Sequence, residues 1–189
     1  MHFEEKSAVH LTLRKITMRL NELKIPYAIA GAMALFFHGF RRFTEDVDIL
    51  VTREGLDQLH RHLQGLGYLA VSPGSRGLRD TESGVRIEFL LSGEFPGDGK
   101  PKPVAFPDPQ QVSVEKDGVR WLNLCSLIEL KLASGMTNPG RLKDLADVQE
   151  LIRVLQLPAD FVDQLQPFVR EKYAELWTAV QEGPAALPP

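Results

Sequence analysis

Cysteine is nearly missing from this chain of 189 residues: Cys125 stands alone. No intramolecular disulfide can form, which fits a reducing, cytoplasmic setting. Cys125 opens an apolar stretch and reads as a packing residue rather than a nucleophile. No apolar run approaches the ~20 residues that cross a bilayer, so no membrane partner is expected. The N-terminus, MHFEEKSAVHLTLRK, places acids early and has no apolar core before a cleavage site, so it does not read as a signal peptide. Internal repeats and zinc-type Cys/His spacings are absent. Excess positive charge is missing too, with 22 Lys and Arg against 25 Asp and Glu, a net charge of −3. That excludes a protein coating nucleic acid by charge alone. It leaves room for a local basic groove, and Arg41, Arg42 and Arg53 cluster around an acidic stretch.

What is present suits one compact domain with a helical appendage: 43% hydrophobic and 25% charged residues. The expected division is a core over 1–124, a C-terminal helical segment over 125–181 packed on it, and a disordered tail over 182–189. Val9, Leu13, Ile16, Leu20 and Leu23 recur at helical spacing and predict a helix over 8–24. Pro26 stops it, and a strand over 27–30 leads to a short apolar helix over 32–38 that Gly39 ends. A strand over 46–52 follows, then a helix through Leu56, Leu59, Leu63 and Leu66 ending at Gly67. Strands are predicted at 68–71, 77–81 and 85–91, the last two joined by Glu82-Ser83-Gly84. Residues 92–109 hold five of the thirteen prolines and read as a mobile, solvated loop; its Lys100 and Lys102 are weighed as substrate contacts and read as solvated. A second hairpin turns at Asp117-Gly118. Helices are then predicted at 125–134, 139–155 (capped by Asn138), 159–165 and 167–181.

The stretch that carries chemistry is Asp-Val-Asp-Ile-Leu-Val at 46–51. In a strand, side chains two apart share a face, so Asp46 and Asp48 project together, about 6–7 Å apart at the backbone. Two acids side by side repel one another unless a cation lies between them. Upstream, Gly31 with small neighbours between a strand and a helix marks a tight turn where backbone N–H groups can meet phosphate. Glu88 is an acid inside an otherwise apolar strand, with Arg86 or Arg79 as candidate partners. Arg42 has the planar fork that suits oxyanions. His38 reads as a helix-end residue packed on Phe36 or Phe40.

The series Gly31-Ala32, Ala34, His38-Gly39, Arg42, Thr44, Asp46 and Asp48 resembles the signature of the nucleotidyltransferase superfamily. More narrowly, it is similar to the AbiEii-type toxins and their relatives. The resemblance implies an α/β (α+β) polymerase β-like fold, with a small mixed sheet, helices on one side and a C-terminal helical segment. It implies a transferase moving a nucleoside monophosphate from an NTP to a hydroxyl on tRNA, a protein or a small molecule, and a toxin with a cognate antitoxin. Asp46, Asp48 and Glu88 would hold two Mg²⁺ ions (Mn²⁺ as substitute) and act in catalysis. Gly31, Ala32, Arg42, Thr44 and Lys131 would meet the nucleotide's phosphates. Arg141, Asp144 and Asp147 match the relatives' Arg-x-x-Asp-x-x-Asp helix, with Asp144 expected to pair with Arg141 or Lys131. Relatives usually carry Gly or Ser where this chain has Ala32, and many carry Asp where it has Glu88. The alternatives are a nucleotide- or partner-binding module without turnover, and a metal-dependent phosphohydrolase or nuclease.

Overall fold

The computed structural model describes residues 7–183. From residue 184 on, the tail expected to be disordered lies outside the described residues, as do residues 1–6. Helix α1 (Ala8–Glu22) starts where the Ser7 side chain accepts a hydrogen bond from the His10 N–H, and it buries Leu13, Ile16 and Leu20. Strand β1 (Tyr27–Ile29), helix α2 (Gly31–Phe37) and strand β2 (Asp46–Val51) follow as the sequence predicts. Gly39, at φ +103°, ends α2 in a conformation that other residues rarely adopt.

Helix α3 (Arg53–Leu63) is shorter than its leucine pattern predicts. Leu66 is 71% exposed, because Gly65 and Gly67 take positive φ and turn the chain out of the helix before Leu66 can join its apolar face. Strands β3 (Tyr68–Ala70), β4 (Leu78–Asp80) and β5 (Arg86–Leu91) come next, with β4 and β5 antiparallel. After the short helix α4 (Pro109–Val112), β6 (Ser113–Lys116) and β7 (Val119–Leu122) form the expected hairpin, with Asp117 and Gly118 both at positive φ.

The seven strands form one mixed sheet in the order β3-β4-β5-β2-β1-β7-β6. The last part of the chain is α5 (Leu124–Thr137), a 3₁₀ turn (Pro139–Arg141), α6 (Leu142–Leu155), a second 3₁₀ turn (Ala159–Gln164) and α7 (Pro167–Glu182). Helices cover both faces of the sheet, not one. Val47, Ile49, Val51, Ile87, Phe89 and Leu91 pack with α1 and α3, while Ala28, Leu50 and Leu122 pack with α5, α6 and α7. The reason lies in the central strands: beyond the acids, alternate positions on both sides are apolar, and each side needs cover. Fully burying one such aliphatic side chain contributes about 1.5–3 kcal/mol, so neither face could be left to water. Cys125 packs at the edge of the second core, and burial followed by Glu129 pushes its thiol up, away from a reactive thiolate.

Residues 92–109 are not a solvated flap. The Gly93 N–H donates to the Phe106 carbonyl and the Phe106 N–H to the Glu94 carbonyl, both at 2.8 Å, closing the loop's two ends on each other. Lys102 turns inward. Its side chain is 6% exposed, and its Nζ donates at 2.6 Å to both the Pro96 carbonyl and Asp98.

Candidate functional site

Strands β2 and β5 run parallel, and their register pairs Asp46 with Arg86 and Asp48 with Glu88. Ladder partners project from the same face of a sheet. Asp46, Asp48, Arg86 and Glu88 therefore share the face that α5–α7 cover further along. Gly31 presses onto Asp48: a Cβ at position 31 would stand 1.8 Å from Asp48 Oδ2, and its φ is +57°. The glycine is thus demanded twice, by backbone conformation and by the carboxylate lying against it. The Ala30 N–H donates to the Asp48 carbonyl at 2.9 Å, tying the end of β1 to the same residue. Burial pushes the Asp48 carboxyl above its usual range; Lys131 pulls it back, and the neighbouring Asp46 and Glu88 push it up again.

Beneath the acids lies a buried ionic cluster. Lys131 Nζ donates to Asp144 at 2.9 Å and to Asp147 at 2.7 Å, with all three side chains under a tenth exposed. Ser134 donates to Asp144 at 2.7 Å, and Arg141 reaches the same oxygen at 2.9 Å. Asp147 also meets Arg42 Nε at 3.3 Å, which joins α6 to the loop before the acidic strand. Burial alone would raise the Asp144 carboxyl, but Lys131, Ser134 and Arg141 hold it below its ordinary value. The expected pairing of Asp144 with Arg141 or Lys131 occurs with both.

The remaining residues singled out from the sequence divide between two cavities. Gly31, Asp48 and Lys131 line a cavity of about 350 Å³, walled by Phe95, Pro96 and Phe106 from the proline-rich loop. Arg42, Thr44 and Asp46 line a wider cleft of about 900 Å³. Thr44 is used locally: its hydroxyl donates to the Asp46 carbonyl at 3.1 Å and accepts from the Asp46 N–H at 3.3 Å, shaping the entry to the strand. Ala32 is buried at the start of α2. Arg53 sits away from the acids, at the other end of β2, where it pairs with Glu94. The arginines weighed as partners for Glu88 are engaged elsewhere. Arg86 Nε lies 3.5 Å from Asp46, Arg79 donates to the Gly84 carbonyl, and among the described residues no ion pair joins either to Glu88. His38 meets Phe37 edge-on rather than Phe36 or Phe40, and its Nε2–H donates to the Leu122 carbonyl at 2.8 Å. The loop's aromatic wall and the ion pair of Arg42 with Asp147 had no sequence signal, because they join segments far apart in the chain.

Among the described residues, no three His, Cys, Asp or Glu side chains are gathered closely enough to form a metal cage. The donor chemistry still fits a hard divalent cation. Asp46, Asp48 and Glu88 offer only carboxylate oxygens, and burial, with Asp46 and Glu88 nearby, disfavours the ionised Asp48 that a cation would stabilise. Asp46 now leans to Arg86. No helix among the described residues is long and apolar enough to cross a membrane.

No protein-family model matches the chain, and no curated protein matches it in sequence. Solved structures do match in shape. The solution structure of antibiotic-resistance factor ANT(2″)-Ia superposes with a TM-score of 0.58 at 17% identity, covering 91% of this chain and 97% of that one. The crystal structure of ANT(2″)-Ia with adenylyl-2″-tobramycin gives 0.56 at 16% identity, with 91% and 96% covered. An antigenic nucleotidyltransferase-like protein from Paracoccidioides brasiliensis gives 0.54 at 18% identity, with 92% and 88% covered. At such identities the likeness is one of fold, and the fold is that of the nucleotidyltransferases.

Proposed function

We propose that this chain transfers a nucleoside monophosphate from an NTP to a hydroxyl acceptor. The observation that carries the reading is Gly31 against Asp48, a backbone with no room for a Cβ beside a buried carboxylate, on a nucleotidyltransferase fold. Asp46, Asp48 and Glu88 would hold Mg²⁺, in two sites or with Mn²⁺ in its place; when bound, it supplies charge to the phosphate oxygens and acidity to the acceptor hydroxyl. The acceptor oxygen bonds to the α-phosphorus, the bridging P–O bond to the β-phosphate breaks, and pyrophosphate leaves. Glu88 takes the hydroxyl proton. Lys131 and Arg141, held beside Asp48 by Asp144, offset phosphate charge in the smaller cavity, and Arg42 does so from the wider cleft. Gly31 and the N–H of Ala32 let the phosphates approach the backbone, with Thr44 shaping the loop beside them.

The test is calorimetric titration of each NTP with and without Mg²⁺, on wild type and on the Asp46→Asn/Asp48→Asn variant. Labelled NTP in the same samples reports transfer. Metal-dependent binding that disappears in the variant supports the site. A folded wild type that binds no NTP removes the transferase reading and leaves the binding module. The toxin role and its antitoxin rest on the motif resemblance alone; growth arrest on induction, relieved by Asp48→Asn, is the corresponding test.

A further inference from the structure

A separate cavity of about 400 Å³ opens at the other end of β1, away from the acids. Tyr27, on its wall, pairs with Val51 in the sheet, and the strand puts about 10 Å between Val51 and Asp48. The polar lining is Asn21, Lys24, Tyr27, Gln110, Ser113 and Arg120, and the rest is apolar. None of the described lining residues is a carboxylate, in a chain with 25 Asp and Glu. We infer that this cavity binds a small phosphomonoester, at a site independent of the transferase reading above. Every polar side chain of the lining can donate a hydrogen bond, and Lys24 and Arg120 add full positive charge. An ammonium beside a guanidinium fork suits the several oxygens of a phosphate. The volume lies in the range of small-molecule sites, and the apolar part leaves room for a sugar-sized body.

Two features of the wall cost the fold stability and gain a purpose with an anion there. Lys24 closes α1: its N–H donates to the Asn21 carbonyl and the Ile25 N–H to the Leu20 carbonyl, with Lys24 at φ +54°. That left-handed position is cheapest as Gly, and a lysine occupies it under strain. Favourable charge for the helix end is already supplied by Arg19 in the last turn. What the strained residue adds is an ammonium on the cavity wall. The second feature is Ser113, whose buried Oγ has no hydrogen-bond partner among the described residues. A buried hydroxyl without a partner destabilises a fold, and a phosphate oxygen would accept from it. Arg120 is only loosely engaged, 3.7 Å from Glu115 with both side chains in solvent. The Tyr27 hydroxyl accepts from the Arg120 N–H at 3.3 Å, which leaves its own hydrogen to donate. Burial pushes that phenol up, so the hydrogen stays in place.

Isothermal calorimetry with ribose 5-phosphate, without NTP or Mg²⁺, tests the cavity, with ribose, inorganic phosphate and succinate as comparisons. Wild type is expected to bind ribose 5-phosphate, inorganic phosphate more weakly, and ribose not at all. Lys24→Gly and Arg120→Gln each weaken binding about ten- to a hundredfold, and Ser113→Ala about two- to tenfold. Thermal scans without ligand separate a binding role from a structural one. Lys24→Gly and Ser113→Ala, relieved of a strained backbone and of an orphan hydroxyl, are expected to melt no lower than wild type while binding less. Arg42→Ala, in the wider cleft, is expected to keep the affinity. Absence of binding at millimolar ribose 5-phosphate overturns the inference, and so does binding unchanged in Lys24→Gly and Arg120→Gln. Binding lost in Arg42→Ala instead puts the anion beside the reactive acids and overturns it too. Ribose or inorganic phosphate binding as tightly as the ester, or succinate more tightly, overturns the ligand class. None of these outcomes depends on NTP transfer, so failure here leaves the transferase reading standing.

Discussion

At the scale of single residues, the site is a place where the fold accepts a cost. Asp48 sits with its carboxyl pushed above its usual value by burial and by two neighbouring acids. A carboxyl raised in the folded state penalises folding at higher pH: the penalty is absent below the unfolded value, grows as pH rises from it, and is complete above the folded one. Asp48→Asn is therefore expected to raise the melting temperature near pH 7, with the gain vanishing at about pH 3, while metal-dependent NTP binding is lost. Thermal scans at both pH values check the sign. Gly31→Ala combines a positive φ with a Cβ placed on Asp48. It should cost about 1–3 kcal/mol of stability, and it should weaken NTP binding because the carboxylate must move. Denaturant titration and calorimetry on that variant read the two effects separately.

At the scale of elements, α5 and α6 are joined by charge as well as by packing. Lys131 is shared by two buried carboxylates, and removing it strands both. Lys131→Met is expected to destabilise the protein by about 3–5 kcal/mol, and Lys131→Met/Asp144→Asn/Asp147→Asn to recover much of that loss. Urea unfolding of the two variants measures it. Asp144 has the opposite sign to Asp48. Its carboxyl is held below its ordinary value, so it contributes stability above pH ~4 that is lost as pH falls through its folded value. Asp144→Asn should thus destabilise near pH 7, with the difference from wild type shrinking as pH falls below ~4.

At the scale of the whole molecule, the sheet decides whether the chain divides. Ala28, Leu50 and Leu122 share one apolar cluster with residues of α5–α7. We propose that the core over 1–124 and the helical segment over 125–181 are one cooperative unit. A chain ending at residue 124 is then expected to lose its cooperative thermal transition, as apolar sheet surface meets water. Circular dichroism melts of the full and shortened chains test this, and an independent, sharp transition in the shorter one would overturn it.

Local periodicity made most elements legible. The apolar stripe of α1, the Asp-Val-Asp strand and the Asp117-Gly118 turn all depend on neighbours within a few residues, whereas Asn138 caps the 3₁₀ turn before α6 and not the helix expected from residue 139. The acids' shared face followed from strand geometry, and the nucleotidyltransferase fold from the motif's resemblance. Four things only the tertiary structure decided. Glu88 stands level with Asp48 because of parallel register between strands separated by α3 and a hairpin, which no local pattern encodes. Arg42 is engaged by Asp147, and Lys102 is folded inward. Helices lie on both faces because β2 and β5 sit mid-sheet, where neither side can stay wet. Position in the sheet is a long-range property: residues near in sequence choose the element, and residues far apart choose what it must cover.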